Sequence, residues 1–255
     1  MLKLSILCPS IRIEKIPKLY DSICNSFHDS FELIIVGPYQ PIHLPVNVKF
    51  IQDWGSPVRA QQIALCHTEG EYISLAVDDG LFIKDALEKV FEQGVDDPIS
   101  LKYIEGNDTI DFNHRSSIWM DNPSYYRLDY HLQAFKPYTP SDTVLFNFGI
   151  VSREIVFNMG GWDCQFESIA LSQLDFAIRL NFAGYKVKLS HDVCLKCDWE
   201  PGDQGLHKPV HDAFMSDSNL YTKIYSDASC WDRINIDINN WKNSPERWVR
   251  RFGNV

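Results

Sequence analysis

The sequence predicts an α/β protein with a mostly parallel central sheet flanked by helices. Three observations carry that prediction. Short apolar runs ending in turn residues, Leu4–Cys8, Phe31–Val36 and Ile99–Ile104, alternate with segments of helical spacing. Leu4–Cys8 and Phe31–Val36 are mostly apolar rather than alternating, as expected of strands covered on both faces. A further run, Glu71-Tyr-Ile-Ser-Leu-Ala-Val, leads into Asp78-Asp79-Gly80, placing two adjacent carboxylates where a buried strand ends. The chain of 255 residues, 45% hydrophobic and 13% aromatic, is long enough to bury a large core.

In chain order, strand one stops at Pro9-Ser10, and Ile13, Ile16, Leu19, Tyr20 and Ile23 recur at helical spacing. Phe31–Val36 ends at Gly37-Pro38, and Val46–Ile51 reads as a third strand. Ser56-Pro57 opens a helix running to about His67 and carrying Arg59 in its first turns. Arg59 is there a candidate to clamp a diphosphate, to pair with Asp78 or Asp79, or to be a plain surface arginine. Leu81–Gly94 reads as a helix. Residues 105–142 carry Trp119, Tyr125, Tyr126, Tyr130 and Tyr138 among polar residues, suiting either stacking on sugar rings or self-packing. Thr143–Gly149 restores a strand, and Ser152 starts a helix that the Gly160-Gly161 pair ends. Ile169, Leu171, Leu174, Ile178 and Phe182 form an apolar stripe closed by Gly184, and Tyr185–Leu189 reads as a strand. The remainder reads as a Gly/Pro/Asp loop followed by helical segments.

The bulk chemistry excludes several classes. With 34 acidic and 24 basic residues the net charge is -10, which argues against a protein that works by neutralising nucleic-acid phosphates; the basic cluster Arg247, Arg250 and Arg251 comes late. No run of about 18 apolar residues is present, so no membrane span is expected, and the N-terminus reads as a strand rather than a signal segment. Seven scattered cysteines fit reduced thiols of a cytoplasmic protein. Cys194-Leu-Lys-Cys197 is a lone CxxC whose thiols would lie on opposite faces of a strand.

Two ionised carboxylates side by side at a low-dielectric strand end need a divalent metal, a cationic partner or a shared proton; an ordinary Asp-Asp-Gly turn is the plainer alternative. Pro9-Ser10 after strand one, Gly55-Ser-Pro-Val-Arg59, Glu69-Gly70-Glu-Tyr-Ile leading to Asp78-Asp79, Gly160-Gly161-Trp162-Asp163, Phe166-Glu167 and Leu174-Asp175-Phe176-Ala-Ile-Arg179 occur in one order. That ordered set resembles the family 2-like glycosyltransferases of the GT-A fold over residues 1 to about 225.

The resemblance implies a GT-A domain at 1–225, with 1–104 binding the nucleotide sugar and 105–225 the acceptor, followed by a C-terminal helical extension at 226–255. Pro9, Ser10 and Arg12 would sit at the base and ribose, Asp78 near ribose or metal-bound water, and Asp79 on Mn2+ or Mg2+ bridging the phosphates. Trp162 would offer an aromatic face to the donor sugar, a Gly-Gly cap followed by a core Trp being the alternative. His207 or His211 would be a late metal contact, with Trp199–Gly205 as a lid.

Three departures stand out. Gly37-Pro38-Tyr39 replaces the usual acidic turn, so that either Tyr39 stacks on the base or the base is held otherwise. Val77 replaces the first acid of the metal motif. Ser172-Gln173 replaces the Glu-Asp pair that carries the base, so the base would be Glu167 first, or Asp175, which with Arg179 at i,i+4 more often reads as a salt bridge; the alternative is an inactive or retaining enzyme. The expectation is a cytoplasmic, metal-dependent transferase moving a hexose from a nucleoside diphosphate sugar, most simply a UDP-sugar, to a hydroxyl of a glycan with inversion. The competing reading is a non-catalytic sugar or nucleotide-sugar binder that has lost its base. A nucleotidyltransferase would need a Gly-rich basic loop after strand one, which Pro9-Ser10-Ile-Arg12 is not.

Overall fold

The computed structural model describes residues 2–105, 146, 148–197, 204–225 and 232–253. Its strands are β1 (Leu4–Pro9), β2 (Phe31–Gly37), β3 (Val48–Gln52), β4 (Tyr72–Leu75), β5 (Gly80–Phe82), β6 (Ile99–Glu105), β7 (Ile150–Ser152) and β8 (Lys188–Cys197). Its helices are α1 (Ile16–Ser26), α2 (Pro57–Leu65), α3 (Ala86–Gln93), α4 (Arg153–Met159), α5 (Ile169–Phe182), α6 (Gln204–Ile224) and α7 (Val249–Phe252). All eight strands form one sheet in the order β3-β2-β1-β4-β7-β6-β8-β5.

The expected α/β architecture is the one observed. β3, β2, β1 and β4 pair in parallel, Leu4 lying opposite both Phe31 and Tyr72. Every residue of β2 is buried, including Glu32, whose carboxylate accepts from the Ser5 hydroxyl at 2.6 Å and pairs with Lys49 at 2.8 Å, and helices pack on the sheet. α1 buries Ile16, Leu19 and Ile23 from its predicted stripe. The second half is mixed: β7 runs antiparallel to β4 and β6, β6 and β8 are parallel, and β5 closes the edge antiparallel to β8.

This order forces the sheet to curl. Four strand spacings separate β4 from β5, about 19 Å in a flat sheet, whereas the five steps from Leu75 to Gly80 reach at most about 17 Å. The β8-β5 edge must therefore bend back toward the end of β4, which wraps it around the Asp78-Asp79 turn.

Several elements differ from the sequence reading. Leu81–Gly94 is a short strand and then a helix from Ala86; Gly80–Phe82 is drawn into the sheet by Leu195–Cys197, a partner remote in sequence. β8 runs on to Cys197 through His191-Asp192, where the register with β6 shifts. Ser190 patches that irregularity: its hydroxyl accepts from the Lys102 N–H at 2.9 Å and donates to the Asp192 carbonyl at 2.8 Å. Of Thr143–Gly149, only Phe146, Phe148 and Gly149 are described, and Phe148 has a positive φ of 45° rather than strand geometry. The aromatics of 105–142 lie outside the described residues.

Within 232–253 the described residues carry 3-10 turns at 232–233 and Asn240–Asn243 and the single turn α7. This segment runs back over the sheet, forming a parallel bridge from Arg247 to Trp54. Among the described residues no helix is long and apolar enough to cross a membrane.

Candidate active site

The ends of β1, β2 and β4 converge where parallel α/β sheets bind ligands, at their carboxyl edge. Pro9-Ser10, Gly37-Pro38 and, one turn past β4, Asp78-Asp79 line a cavity of about 250 Å3. Strands β1 and β2 come so close there that a Cβ on Gly37 would lie 1.8 Å from the Ser10 carbonyl oxygen. Only glycine fits.

Asp78 is buried and heavily committed. One oxygen accepts from the Ser10 hydroxyl at 3.1 Å and from the backbone N–H groups of Ile11 and Arg12, each at 2.9 Å. The other accepts from Arg12 Nε at 2.9 Å and from Arg12 Nη2. Arg12 Nη2 also pairs with Asp79 at 2.9 Å. The cationic partner that the two carboxylates need is therefore supplied from within the chain by Arg12. Burial works against the arginine's charge, but Asp78 and Asp79 outweigh it and hold Arg12 above its ordinary range. Burial, and then the charge of Asp78, push Asp79 up despite Arg12.

Among the described residues no group of three metal-ligating side chains gathers. Asp79 on the cavity wall would be one ligand for a divalent cation, and a bound diphosphate would have to bring others. The donor set fits a cation shared with an anionic ligand rather than a closed metal centre. His207 lies in α6, whose first residues are described in backbone alone, and residues 199–203 of the expected lid lie outside the description.

Glu167 is brought to this site. It is buried, lines the cavity with Asp78 and Asp79, and also faces a second, more polar cleft of about 590 Å3. Its carboxylate is ion-paired with Arg250 of the C-terminal segment. Asp217 of α6 accepts from the backbone N–H groups of Glu167 and Ser168, each at 2.7 Å, capping the start of α5 from another helix. Burial pushes the Asp217 carboxyl up to about 6.

Three expected site residues sit elsewhere. Asp175 is fully buried, and its oxygens take Arg179 Nε at 2.8 Å, Tyr225 hydroxyl at 2.6 Å and Arg233 Nη1 at 2.8 Å. Although burial alone would raise it, Arg179 and Arg233 hold it below the usual carboxylate value. It sits in a buried ion-pair network and is not on the cavity wall. Trp162 is also fully buried, 5.1 Å from the Phe176 ring, and offers no face to a sugar. The Gly160-Gly161 pair serves the interior: both have positive φ, and a Cβ would lie 1.9 Å from the Ile236 carbonyl oxygen at Gly160 and 2.2 Å from Gln62 Oε1 at Gly161.

Arg59 is neither on the cavity wall nor paired with Asp78 or Asp79. Its guanidinium lies on Asp53 at 3.0 Å and donates to the carbonyls of Trp241 and Ser244. The Ser56 start of α2 is as expected, with the Ser56 hydroxyl accepting from the Arg59 N–H at 3.1 Å. Tyr39 is 45% exposed and meets Trp54 edge-on rather than lining the cavity. Gln173 is buried in α5. The CxxC thiols are buried in β8; burial raises Cys194 to about 11.

Sequence reasoning missed Asp53, Trp54, Trp248, Arg251 and Phe252, all on the cavity wall. The late cluster Arg247, Arg250 and Arg251 was the visible signal, but nothing local tied it to a strand end some 170 residues earlier in the chain.

No protein-family model and no curated protein matches the sequence. Solved structures do match. S. aureus TarS 1–349 with UDP-GlcNAc aligns over 79% of this chain and 60% of its own at TM-score 0.54 and 18% identity. TarS 1–349 alone aligns over 94% and 71% at 0.53 and 17%, and the longer TarS chain over 82% and 39% at 0.52 and 16%. The chain thus spans about 39% of that longer TarS chain. With its mixed eight-stranded sheet and these structural likenesses, this chain has a GT-A-like fold.

Proposed function

We propose that the protein is a glycosyltransferase that takes a sugar from a nucleoside diphosphate sugar, with UDP as the nucleotide, and passes it to a hydroxyl of a glycan. The observation that carries this reading is the convergence of Asp78, Asp79, Arg12 and Glu167 on one cavity at the carboxyl edge of the sheet. The fold shared with a UDP-GlcNAc-bound structure supports the choice of donor.

In this mechanism Arg12 faces the diphosphate, and Asp79 would hold a divalent cation, Mn2+ or Mg2+. A divalent cation bound there supplies charge neutralisation of the leaving group. Arg12 contributes in the same sense, held in place by Asp78. Glu167 takes the proton of the acceptor hydroxyl as the hydroxyl displaces the diphosphate with inversion. Glu167 must first release Arg250. Reduced thiols at Cys8, Cys24, Cys66, Cys164 and Cys194 support a cytoplasmic setting.

A second reading, a nucleotide-sugar binder without transfer, draws on Gln173 in the expected base position and on the ion pair that occupies Glu167. Calorimetric titration with UDP, GDP and CMP, each with and without Mn2+, tests the donor reading. UDP binding strengthened at least tenfold by Mn2+, with the gain lost in Asp79→Asn, is the expected outcome; no binding of any nucleotide overturns it. Slow release of free sugar from the donor, lost in Glu167→Gln, separates transferase from binder.

A further inference from the structure

The C-terminal segment is built into the donor cavity. Arg59, buried in α2, holds the segment through the Trp241 and Ser244 carbonyls. Further along, the Trp248 N–H donates to the Trp54 carbonyl at 2.8 Å, next to the Arg247–Trp54 bridge. These anchors place Trp248 and Phe252 on the cavity wall together with Trp54. The Phe252 and Trp54 rings meet at 5.5 Å and 65°, and Trp54 remains 38% exposed.

Position along the sheet says what these rings face. Trp54 follows β3, whereas Asp78 and Asp79 follow β4, and the order β3-β2-β1-β4 puts three strand spacings, about 14 Å, between the two ends. The β4 end carries the charged groups Asp78, Asp79 and Arg12, and the β3 end carries the aromatic ones. A nucleotide lying along this line with its diphosphate at the β4 end brings its base to Trp54, Trp248 and Phe252. Planar bases are held by such rings through stacking.

Resting on the nucleotide-sugar reading above, we propose that Trp248 and Phe252 form with Trp54 the slot for the donor's nucleobase, so that the C-terminal segment is part of the donor site. Phe252 lies on a half-buried single turn, so its truncation tests the slot without emptying the core.

The experiment is calorimetric titration of the full chain and of Phe252→Ala with UDP, UMP and inorganic pyrophosphate, each with Mn2+, beside the melting temperature of both proteins. Expected is a common loss of about tenfold for UDP and UMP, the scale of one stacking contact, with pyrophosphate affinity and melting temperature unchanged. Equal affinity of both proteins for UDP overturns the inference while leaving the donor reading intact. So does an equal loss for pyrophosphate, which would make the effect one of general collapse. Tighter UDP binding by Phe252→Ala overturns it in another way, identifying the segment as a plug. If the unmodified chain binds no nucleotide, the donor reading fails and the slot fails with it.

Discussion

Asp217 shows how much of this site depends on single carboxylates that touch no ligand. It caps the Glu167 and Ser168 amides from α6 and lies 3.6 Å from Arg250. Its folded value of about 6 lies above the ordinary aspartate value, because burial disfavours the charge. The folded protein therefore binds this proton more tightly than the unfolded chain. The stability it contributes is full below about pH 4 and is lost as pH rises through about 6, on the order of 2 kcal/mol. Asp217→Asn, which keeps an acceptor for both amides, is expected to flatten that slope in urea unfolding followed from pH 4 to 7. An unchanged slope would mean that Asp217 is ionised throughout. Arg12 works on the same scale: the strand-end carboxylates were visible as a pair in want of a cation, but Arg12 as their partner was not, since the turn after β1 alone decides where its guanidinium lies.

At the scale of elements, α5 is the informative case. Its apolar stripe and the Gly184 stop were legible because helical periodicity is local. The chemistry of its polar residues was not. In the sequence Asp175 is the second candidate base and, with Arg179 at i,i+4, more often a helix salt bridge; the choice falls to Tyr225 and Arg233, which reach Asp175 from about fifty residues downstream. Removing the Asp175 charge would leave Arg179 buried and uncompensated. Asp175→Asn is expected to cost about 3–5 kcal/mol in urea unfolding while leaving the nucleotide affinity of the remaining folded protein unchanged; a loss of affinity at full stability would return Asp175 to the site. Strand β5 makes a related point, since the start of a helical-looking stretch is taken into the sheet as its edge by β8, more than a hundred residues away. Local propensity yields where a ladder of backbone bonds is on offer.

On the scale of the whole molecule, the C-terminal segment ties the halves of the site together. Arg59 on α2 holds it at one point, Gln62 at another through the Ile238 carbonyl, and Arg250 closes onto Glu167. Arg59→Met, which keeps the stem and removes the guanidinium, is expected to lower stability by about 2 kcal/mol by leaving half-buried Asp53 without its partner and the Trp241 and Ser244 carbonyls without their donor. It should also open residues 241–253 to limited proteolysis ahead of the rest of the chain. Cleavage unchanged from the unmodified protein would show that the aromatic contacts alone hold the segment.

By itself, the sequence determined the parallel half of the sheet, the helices that cover it and the placing of Ser10, Asp78 and Asp79 at one edge. Those features rest on periodicity, turn residues and apolar runs, which act over a few residues. Tertiary structure decided which carboxylate faces the cavity, that Trp162 and Asp175 belong to the core, that Arg59 serves the C-terminal segment, and that this segment walls the site. Each of those choices depends on a partner tens to nearly two hundred residues away, and a charge or an aromatic ring takes its role from the partner it meets.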